Sequence, residues 1–528
     1  MIRKEFNSKS KTGEPGTLTG REITGSQAIL EALIEEGVNT IFGIPGGANI
    51  AMYDALYDYK TQLNHILVRH EQGGVHAAQG YARVSGKVGV VFATSGPGAT
   101  NLLTGIADAQ IDSTPLVCIT GQVYSHMLGT DSFQETDVIN ISAPITKWNY
   151  LVTDAREIPG ILAKAFYIAR SGRPGPVLID ITKDAQLHSF KYGGYTKCES
   201  IRSYKPRPTI KLDAIANAAA MINGSKRPMI LWGQGVILGE AEKEFIDFVE
   251  KSGIPAAWTI LGAGALPTDH LLNVGMLGMH GNYAPNVMTN ECDIIVAIGM
   301  RFDDRVTGRL DKYARQAKVI HLDIDRAEID KNVKATIAVC GDCKETLPLL
   351  TDLIHAKSYK EWVDKFKLLH DEEVNIVIEN ELNPPNGEIT MGEVINQLNE
   401  FTRGDAVIVS DVGQNQMVTC RYAKFNDSRN NITSGGLGTM GFALPAAIGA
   451  KIGAPQKEVI AIIGDGGFQM TLQELGTIMQ TRLSVKIIIL NNRFLGMVRQ
   501  WQELFSNSRY SFVDLESPDF VALAALIK

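Results

Sequence analysis

Short apolar runs rich in Val, Ile and Leu recur along this chain, each followed by a longer amphipathic segment. A run that is apolar at every position suits a strand buried on both faces, as in a parallel sheet clad in helices. The first third carries TIFGI, HILV, VGVVFAT, PLVCIT and GPVLIDI; the middle carries PMILWGQGV, CDIIVAIG and KVIHLDID; the last carries AVIVSDVG, EVIAIIGDGG and VKIIILNN. The expected fold is therefore α/β, with three doubly wound parallel-sheet domains. Polar stretches mark the boundaries: a flexible tail over 1–20, a first domain over 21–190, a linker over 191–208, a central domain over 209–370, a linker over 371–390 and a last domain over 391–528. VGVVFATSGPGATNLLTGIADA and EVIAIIGDGGFQMTLQELGTIM share one pattern of strand, glycine loop and helix, as if two related sheets each held half of one ligand.

A length of 528 residues exceeds what one hydrophobic core supports. With 45% hydrophobic and 21% charged residues the composition is that of a soluble globular protein. No apolar run approaches the ~18 residues of a membrane-spanning helix. The polar first 20 residues lack the apolar region of a signal peptide. A net charge of -7 without a long basic run leaves nucleic acid no electrostatic footprint. Six scattered cysteines fit a reducing cytoplasm better than a disulfide scaffold, and the single CxxC, Cys340 to Cys343, lacks the second pair of a zinc site.

Gly464-Asp465-Gly466 ends one apolar run and Asn491-Asn492 ends the next, with 24 residues between Gly466 and Asn491. That length suits a strand-helix-strand crossover, which returns the asparagines beside the aspartate at adjacent strand ends. An Asp carboxylate, an Asn amide oxygen and a backbone carbonyl are hard oxygen donors suited to Mg²⁺. The glycines let a diphosphate approach a helix N-terminus. The combination resembles the diphosphate motif of thiamine diphosphate enzymes, which makes Asp465, Asn492 and the Phe494 carbonyl the expected Mg²⁺ ligands and adds Gly464 and Gly466 to the cofactor contacts.

The segment RHEQGGVH sets Glu71 between His70 and His76. The histidines are six positions apart, about 600° around a helix, so they do not share a metal-binding face. In thiamine enzymes a glutamate bonds N1′ of the aminopyrimidine and favours the tautomer that takes the C2 proton; Glu71, at the end of an apolar run, suits that part. In order, FGIPGGA, RHEQGG, TSGPGATN, GTDSFQETD, RPGPVLIDITKD, GMHG, RFDDRVTG, SDVGQNQM, GGLGTMGFALPAAIGA and GMVRQWQ resemble the large catalytic subunits of acetohydroxyacid (acetolactate) synthase from about Arg21 onward. The resemblance implies a backbone donor at Gly47 and polar channel residues Gln134 and Lys183, beside Phe133 and Pro115. It also implies cofactor contacts at Gln414 and Gly438, a wedge at Met440, and an acceptor pocket shaped by Met497 and Trp501.

WGQGVILG, a strand followed by GxGxxxG, is by itself a weak dinucleotide signal carrying Gly233 and Gly235. Arg301 and Arg305 could neutralise a diphosphate and Asp323 could accept from a ribose or adenine. The resemblance makes this the FAD domain and extends the contacts to Arg173, Met279, His280, Gly281, Asp303 and Asp342. The family's usual His, Pro and Ser are replaced here by Asn415, Thr182 and Gly467, the last losing one hydroxyl near the diphosphate. The chain stops at DFVALAALIK, short of the family's usual end, so an incomplete last domain is expected, with activity open. The implied function is thiamine diphosphate-dependent decarboxylation of pyruvate and carboligation to pyruvate or 2-oxobutyrate, the first common step of valine, leucine and isoleucine synthesis. Thiamine diphosphate, Mg²⁺ and FAD are the implied cofactors; a homodimer or tetramer with a small regulatory subunit is the implied assembly, with Glu71 and the diphosphate motif meeting across the dimer interface. A flavin-containing pyruvate oxidase and a non-catalytic cofactor-binding fragment are the alternatives.

Overall fold

The computed structural model describes residues 18–385 and 387–526, so most of the tail expected over 1–20 lies outside the described residues. The described residues fall into two compact units: one contains 18–82, Gly86–Tyr204 and Gln473–Arg482, the other Arg83–Ser85, the described part of Lys205–Leu472, and 483–526.

The strands of the first unit are β1 (Glu22–Thr24), β2 (Thr40–Gly43), β3 (Asn64–Leu67), β4 (Gly89–Ala93), β5 (Leu116–Gln122), β6 (Trp148–Val152), β7 (Pro176–Thr182) and β8 (Ser189–Lys191). β1 and β8 form an antiparallel pair. The other six form one parallel sheet in the order β3-β2-β4-β5-β7-β6. Every position of β4, β5 and β7 is buried, which is why those strands are apolar without alternation. Each Val, Leu or Ile so buried contributes about 1.5–3 kcal/mol relative to leaving it exposed.

The second unit holds two parallel sheets. β9 (Pro228–Trp232), β10 (Ala256–Trp258), β11 (Asn273–Met276), β12 (Ile294–Ile298), β13 (Lys318–Asp323) and β14 (Ile337–Cys340) run in the order β11-β10-β9-β12-β13-β14. β15 (Val407–Ser410), β16 (Asn431–Thr433), β17 (Val459–Gly464) and β18 (Lys486–Leu490) run in the order β16-β15-β17-β18. One hydrophobic core reaches into both, from Ile230 and Val296 to Ile408 and Ile460. The pattern repeat seen in the sequence is present: β4 leads into the helix Pro97–Asn101 and β17 into the helix Asp465–Thr471.

Residues 371–382, expected as linker, are helical. The helix Lys360–Glu373 continues through a π-helical turn, Val374–Ile378, into Glu379–Leu382. The charges that suggest a linker solvate its outer face, while Trp362, Phe366 and Ile378 are buried. Glu373 accepts from the Tyr283 N–H (3.0 Å) and from Arg421, so this segment is tied down at both sides. No helix among the described residues is long and apolar enough to cross a membrane.

One buried acid in the first unit carries a stability signature. Asp180, in β7, accepts from the Thr120 hydroxyl (2.6 Å) and the Gln122 amide (2.9 Å), and the same amide donates to the Thr136 carbonyl (2.9 Å). Burial pushes the Asp180 carboxyl up to about 7. A folded-state value raised above that of the free acid means the native protein binds the proton more tightly. The resulting stability is full below the free-acid value of about 4 and is lost as pH rises to about 7. The limiting slope is about 1.4 kcal/mol per pH unit. Asp180→Asn removes this titration, so between pH 4.5 and 7.5 the parent should lose more chemical-denaturation stability than the variant. Equal losses would show that Asp180 does not titrate there.

Candidate active site

In a parallel sheet all C-terminal strand ends lie on one edge, and that edge collects most of the residues singled out in the first unit. Gly47 follows β2, Glu71 follows β3, Phe133 and Gln134 lie in the long connection after β5, and Lys183 follows β7. Glu71 opens the helix Glu71–Ser85, where His70 acts as N-cap by accepting from the Gln72 N–H (3.2 Å). His76 is buried and bonded to Gln72 and Gln79, so the two histidines form no metal pair. A second carboxylate shapes this helix start. Glu474 Oε1 accepts from the N–H groups of Arg69 and His70, both at 3.0 Å, and would lie 2.5 Å from a Cβ on Gly73. The first glycine of RHEQGG therefore provides room for Glu474.

Glu71 is 9% exposed. Its Oε2 accepts from the Asn101 amide at 3.0 Å, and its Oε1 faces Gly98, where an added Cβ would stand 3.3 Å away. Gly47 has open space around it, whereas the neighbouring Ala48 N–H donates to Thr94 (3.1 Å). Gln134 adopts φ 62, a costly conformation for a non-glycine residue, and packs against Gly96. Its loop is closed by Glu135, which accepts from the N–H groups of Gly129 and Ser132, and by Asp184, which accepts from Ser125. Those backbone bonds hold the Glu135 carboxyl below its usual range. Phe133 is 89% exposed.

Pro115 does not join this group. It immediately precedes β5, whose seven residues separate it by roughly 20 Å from the edge that carries Glu71. The residue at the matching end of β5 is Tyr124, whose ring centroid lies 5.6 Å from Lys183 Nζ. No motif marked Tyr124; only the strand's direction identifies it.

In the second unit β17 and β18 pair in parallel with Gly464 opposite Leu490, so the aspartate and the asparagines follow adjacent strand ends. A cavity open to solvent lies there, lined among others by Gln414, Asn415, Met440, Gly464, Asp465, Gly466, Asn492, Phe494 and Met497. Gly438 and Trp501 stand outside that lining. Met497 and Trp501 are four residues apart on the helix Gly496–Phe505, and Trp501 stacks on Phe505 at 4.8 Å. Asp465 is 1% exposed, and burial raises its carboxyl. Its side-chain partner is the Ser517 hydroxyl at 3.4 Å, and among the described residues it pairs with no cationic side chain. Asn492 Oδ1 accepts from the Phe494 N–H (3.0 Å), which curls the chain after β18 toward the aspartate. A buried carboxylate without a cation, an amide oxygen and a turn carbonyl at one strand edge are a donor set that fits a hard divalent ion.

Asp411 lies behind the lining residue Gly467. A Cβ on Gly467 would come within 2.4 Å of Asp411 Oδ1, so a serine there cannot simply add a hydroxyl; the buried carboxylate would have to move. Burial pushes the Asp411 carboxyl up to about 6.

In the larger sheet of that unit, Gly233 follows β9 and Gly235 opens the helix Gly235–Leu238; the backbone of Gly299 and Met300 occupies the space where their side chains would stand. Both glycines thus serve the approach of two strand-end loops. Asp303 caps the helix Asp304–Thr307, and Asp342 caps Cys343–Leu353. Arg301 lies 3.6 Å from Asp303, Arg305 lies 3.9 Å from Asp304 and bonds Met279, and Asp323 accepts from the Asp325 N–H (2.8 Å). A Cβ on Gly281 would lie 2.3 Å from the Met276 carbonyl. His280 Nδ1 is buried without a hydrogen-bond partner among the described residues, and burial, then Arg305, lowers its basicity. Arg173 belongs to the first unit, where it donates to Ser113 (2.8 Å). All six cysteines are free thiols.

The sequence matches three family descriptions in order: thiamine pyrophosphate enzyme, N-terminal TPP binding domain, over residues 23–141; central domain, over 215–350; and C-terminal TPP binding domain, over 411–527. It is 47% identical over 513 residues to an acetolactate synthase of Mycobacterium bovis, covering 96% of this chain and 82% of that protein. Acetolactate synthase large subunits of Lactococcus lactis and Buchnera aphidicola are each 45% identical, over 507 and 512 residues, covering 96% and 95% of this chain and 87% and 88% of theirs. With the GDG and NN strand ends adjacent, the glutamate at a parallel sheet edge and identity of this extent, the chain belongs to the acetolactate synthase large-subunit family of thiamine pyrophosphate enzymes.

Proposed function

We propose that this chain catalyses the decarboxylation of pyruvate and the joining of the remaining two-carbon unit to a second 2-oxo acid, pyruvate or 2-oxobutyrate. The observation that carries the reading is the pairing of β17 with β18, which brings the buried Asp465, paired with no cationic side chain among the described residues, beside Asn492 and the Phe494 turn at the mouth of a cavity. Thiamine diphosphate, when bound, would supply an acidic ring carbon that bonds the 2-oxo carbon and a cationic ring that takes up the electron pair released by decarboxylation. Asp465, the Asn492 amide oxygen and the Phe494 carbonyl hold Mg²⁺, and the N–H groups after Gly464 receive the diphosphate. Met440 and Gln414 shape the wall facing it. Glu71 holds a proton at Oε1 for the ring nitrogen N1′, while Asn101 fixes Oε2. Gly47 leaves open space where the reacting carbonyl must approach backbone N–H groups. Lys183 and Gln134, held in its left-handed conformation, receive the substrate carboxylate, with Tyr124 and Phe133 beside them.

FAD fits the second unit's larger sheet on one observation in particular, the buried Nδ1 of half-buried His280 near Arg305, which has no hydrogen-bond partner among the described residues. Arg301 and Arg305 neutralise its diphosphate and Asp323 accepts from its ribose or adenine. The protein acts as a homodimer at least, with a small regulatory subunit; the phrase "large subunit" in the names of its relatives supports the latter.

The test is acetolactate formation from pyruvate by purified protein, with thiamine diphosphate, Mg²⁺ and FAD added together and omitted singly. The expected result is acetolactate that requires thiamine diphosphate and Mg²⁺, without peroxide. Peroxide with consumption of oxygen and no acetolactate would mean that the chain is an oxidase.

A further inference from the structure

Four loops line the cavity around Asp465, and a single side chain touches three of them. Asp411 follows β15 and is wholly buried. Its Oδ1 accepts from its neighbour Val412 N–H (2.9 Å) and from Gly441 N–H (3.0 Å); its Oδ2 accepts from Ala443 N–H (2.9 Å). Val412 leads to Gly413 and Gln414, Gly441 follows Met440, and Gly467 lies against Oδ1; Val412, Gly413, Gln414, Met440 and Gly467 all line the cavity. The backbone of Asp411 is fixed too: its N–H donates to the Ile462 carbonyl of β17 (2.9 Å), and its carbonyl accepts from the Asn415 amide (2.9 Å).

The chemistry of these contacts is unusual for a buried acid. Asp411 is held by N–H groups alone, and Ala443 is the first residue of the eleven-residue helix Ala443–Gly453. The N–H groups of a helix's first turn have no partner within the helix, and their partial positive charge stabilises an anion placed there. The same carboxylate holds Gly441 at φ 86, in the turn that presents Met440. Asp411 lies outside the helix that follows it, Gln414–Tyr422, and none of its side-chain bonds caps that helix.

We propose that Asp411 is a positioning residue that sets Gln414 and Met440 relative to the Asp465 loop, with Gly467 as the steric counterpart that leaves its carboxylate room. The inference rests on the functional reading given above. Asp411→Asn presents an NH₂ group to one of the N–H donors and so frees either Gly441 or the helix start at Ala443. Gly467→Ala keeps every hydrogen-bonding group and adds one methyl, which displaces Oδ1. Both substitutions disturb the same contact from opposite sides.

The test measures binding of thiamine diphosphate with Mg²⁺ by calorimetry on cofactor-free protein, together with Tm and the KM for pyruvate. The expected result is that each single variant binds the cofactor at least about 10-fold more weakly while its KM for pyruvate at saturating cofactor stays within about twofold. The double variant should be no more than about threefold worse than the poorer single, because the second change attacks a contact already lost. If Asp411→Asn does not fold, Gly467→Ala carries the test. Variants that fold and bind as tightly as the parent, or singles whose effects multiply in the double, overturn the positioning role. A parent that binds no thiamine diphosphate with Mg²⁺ overturns the functional reading and this inference with it.

Discussion

Glu71→Gln will abolish turnover while leaving the fold, the Mg²⁺ site and thiamine diphosphate affinity nearly intact. Glutamine keeps the length and shape of the side chain, so the helix Glu71–Ser85 retains its His70 cap and the Glu474 contacts at its start. What it loses is a proton that can be given and retaken. A positioned acid–base group contributes roughly 10²–10⁴-fold to rate, so kcat for acetolactate should fall by at least about 100-fold. The amide also meets the Asn101 NH₂, which now donates to Oε2 at 3.0 Å. It must turn its oxygen to that donor and its own NH₂ toward Gly98, fixing a donor where the carboxyl could donate or accept. Single-turnover acetolactate formation, with Tm and cofactor titration as controls, checks this. Near-parental turnover in the variant would remove Glu71 from the mechanism.

The parts of this molecule that were legible in advance were those whose physics is local. β4, β5, β7, β9, β12 and β17 announce themselves as unbroken apolar runs because helices cover both of their faces. β6, β10, β11, β14 and β16 escaped notice because they are short or lie at a sheet edge, where half-exposed positions carry polar residues such as Asn149 and Asn273. The helical continuation through Ile378 was hidden by its own charges. In the site, the GDG and NN motifs were readable because a crossover of that length has one common outcome, the parallel pairing of β17 with β18. Asn101 on Glu71, Glu474 on the Arg69 and His70 amides, and Gly467 against Asp411 were not, since each joins segments from 30 to more than 400 residues apart. Pro115 and Tyr124 differ in another way. Both flank β5, and only the direction of that strand in the sheet decides which one faces Lys183.

Asp465→Asn should raise the stability of the cofactor-free protein or leave it unchanged, yet erase the stabilisation that cofactor brings. The two effects have one cause. Asp465 is buried and, among the described residues, faces no cationic side chain, so burial raises its carboxyl and its ionised form is a cost to the empty protein. Because the folded-state value lies above the free one, that cost grows as pH rises through it, and neutral pH is where the asparagine gains most. A divalent ion reverses the balance by supplying the missing charge. Removing one charge from the donor set should weaken Mg²⁺-dependent cofactor binding by at least about 10–100-fold, the loss typical of disturbing even the groups behind a metal ligand. A ligand at 100 times its dissociation constant stabilises a fold by about 2.7 kcal/mol. At cofactor concentrations that give the parent this gain, a 100-fold weaker variant should keep only about 0.4 kcal/mol of it. Thermal unfolding of both proteins, with and without thiamine diphosphate and Mg²⁺, separates the two effects. An equal rise in Tm for parent and variant would mean that the ion is held elsewhere. A variant less stable than the parent without cofactor would mean that Asp465 earns its burial through bonds to its own chain rather than through a metal.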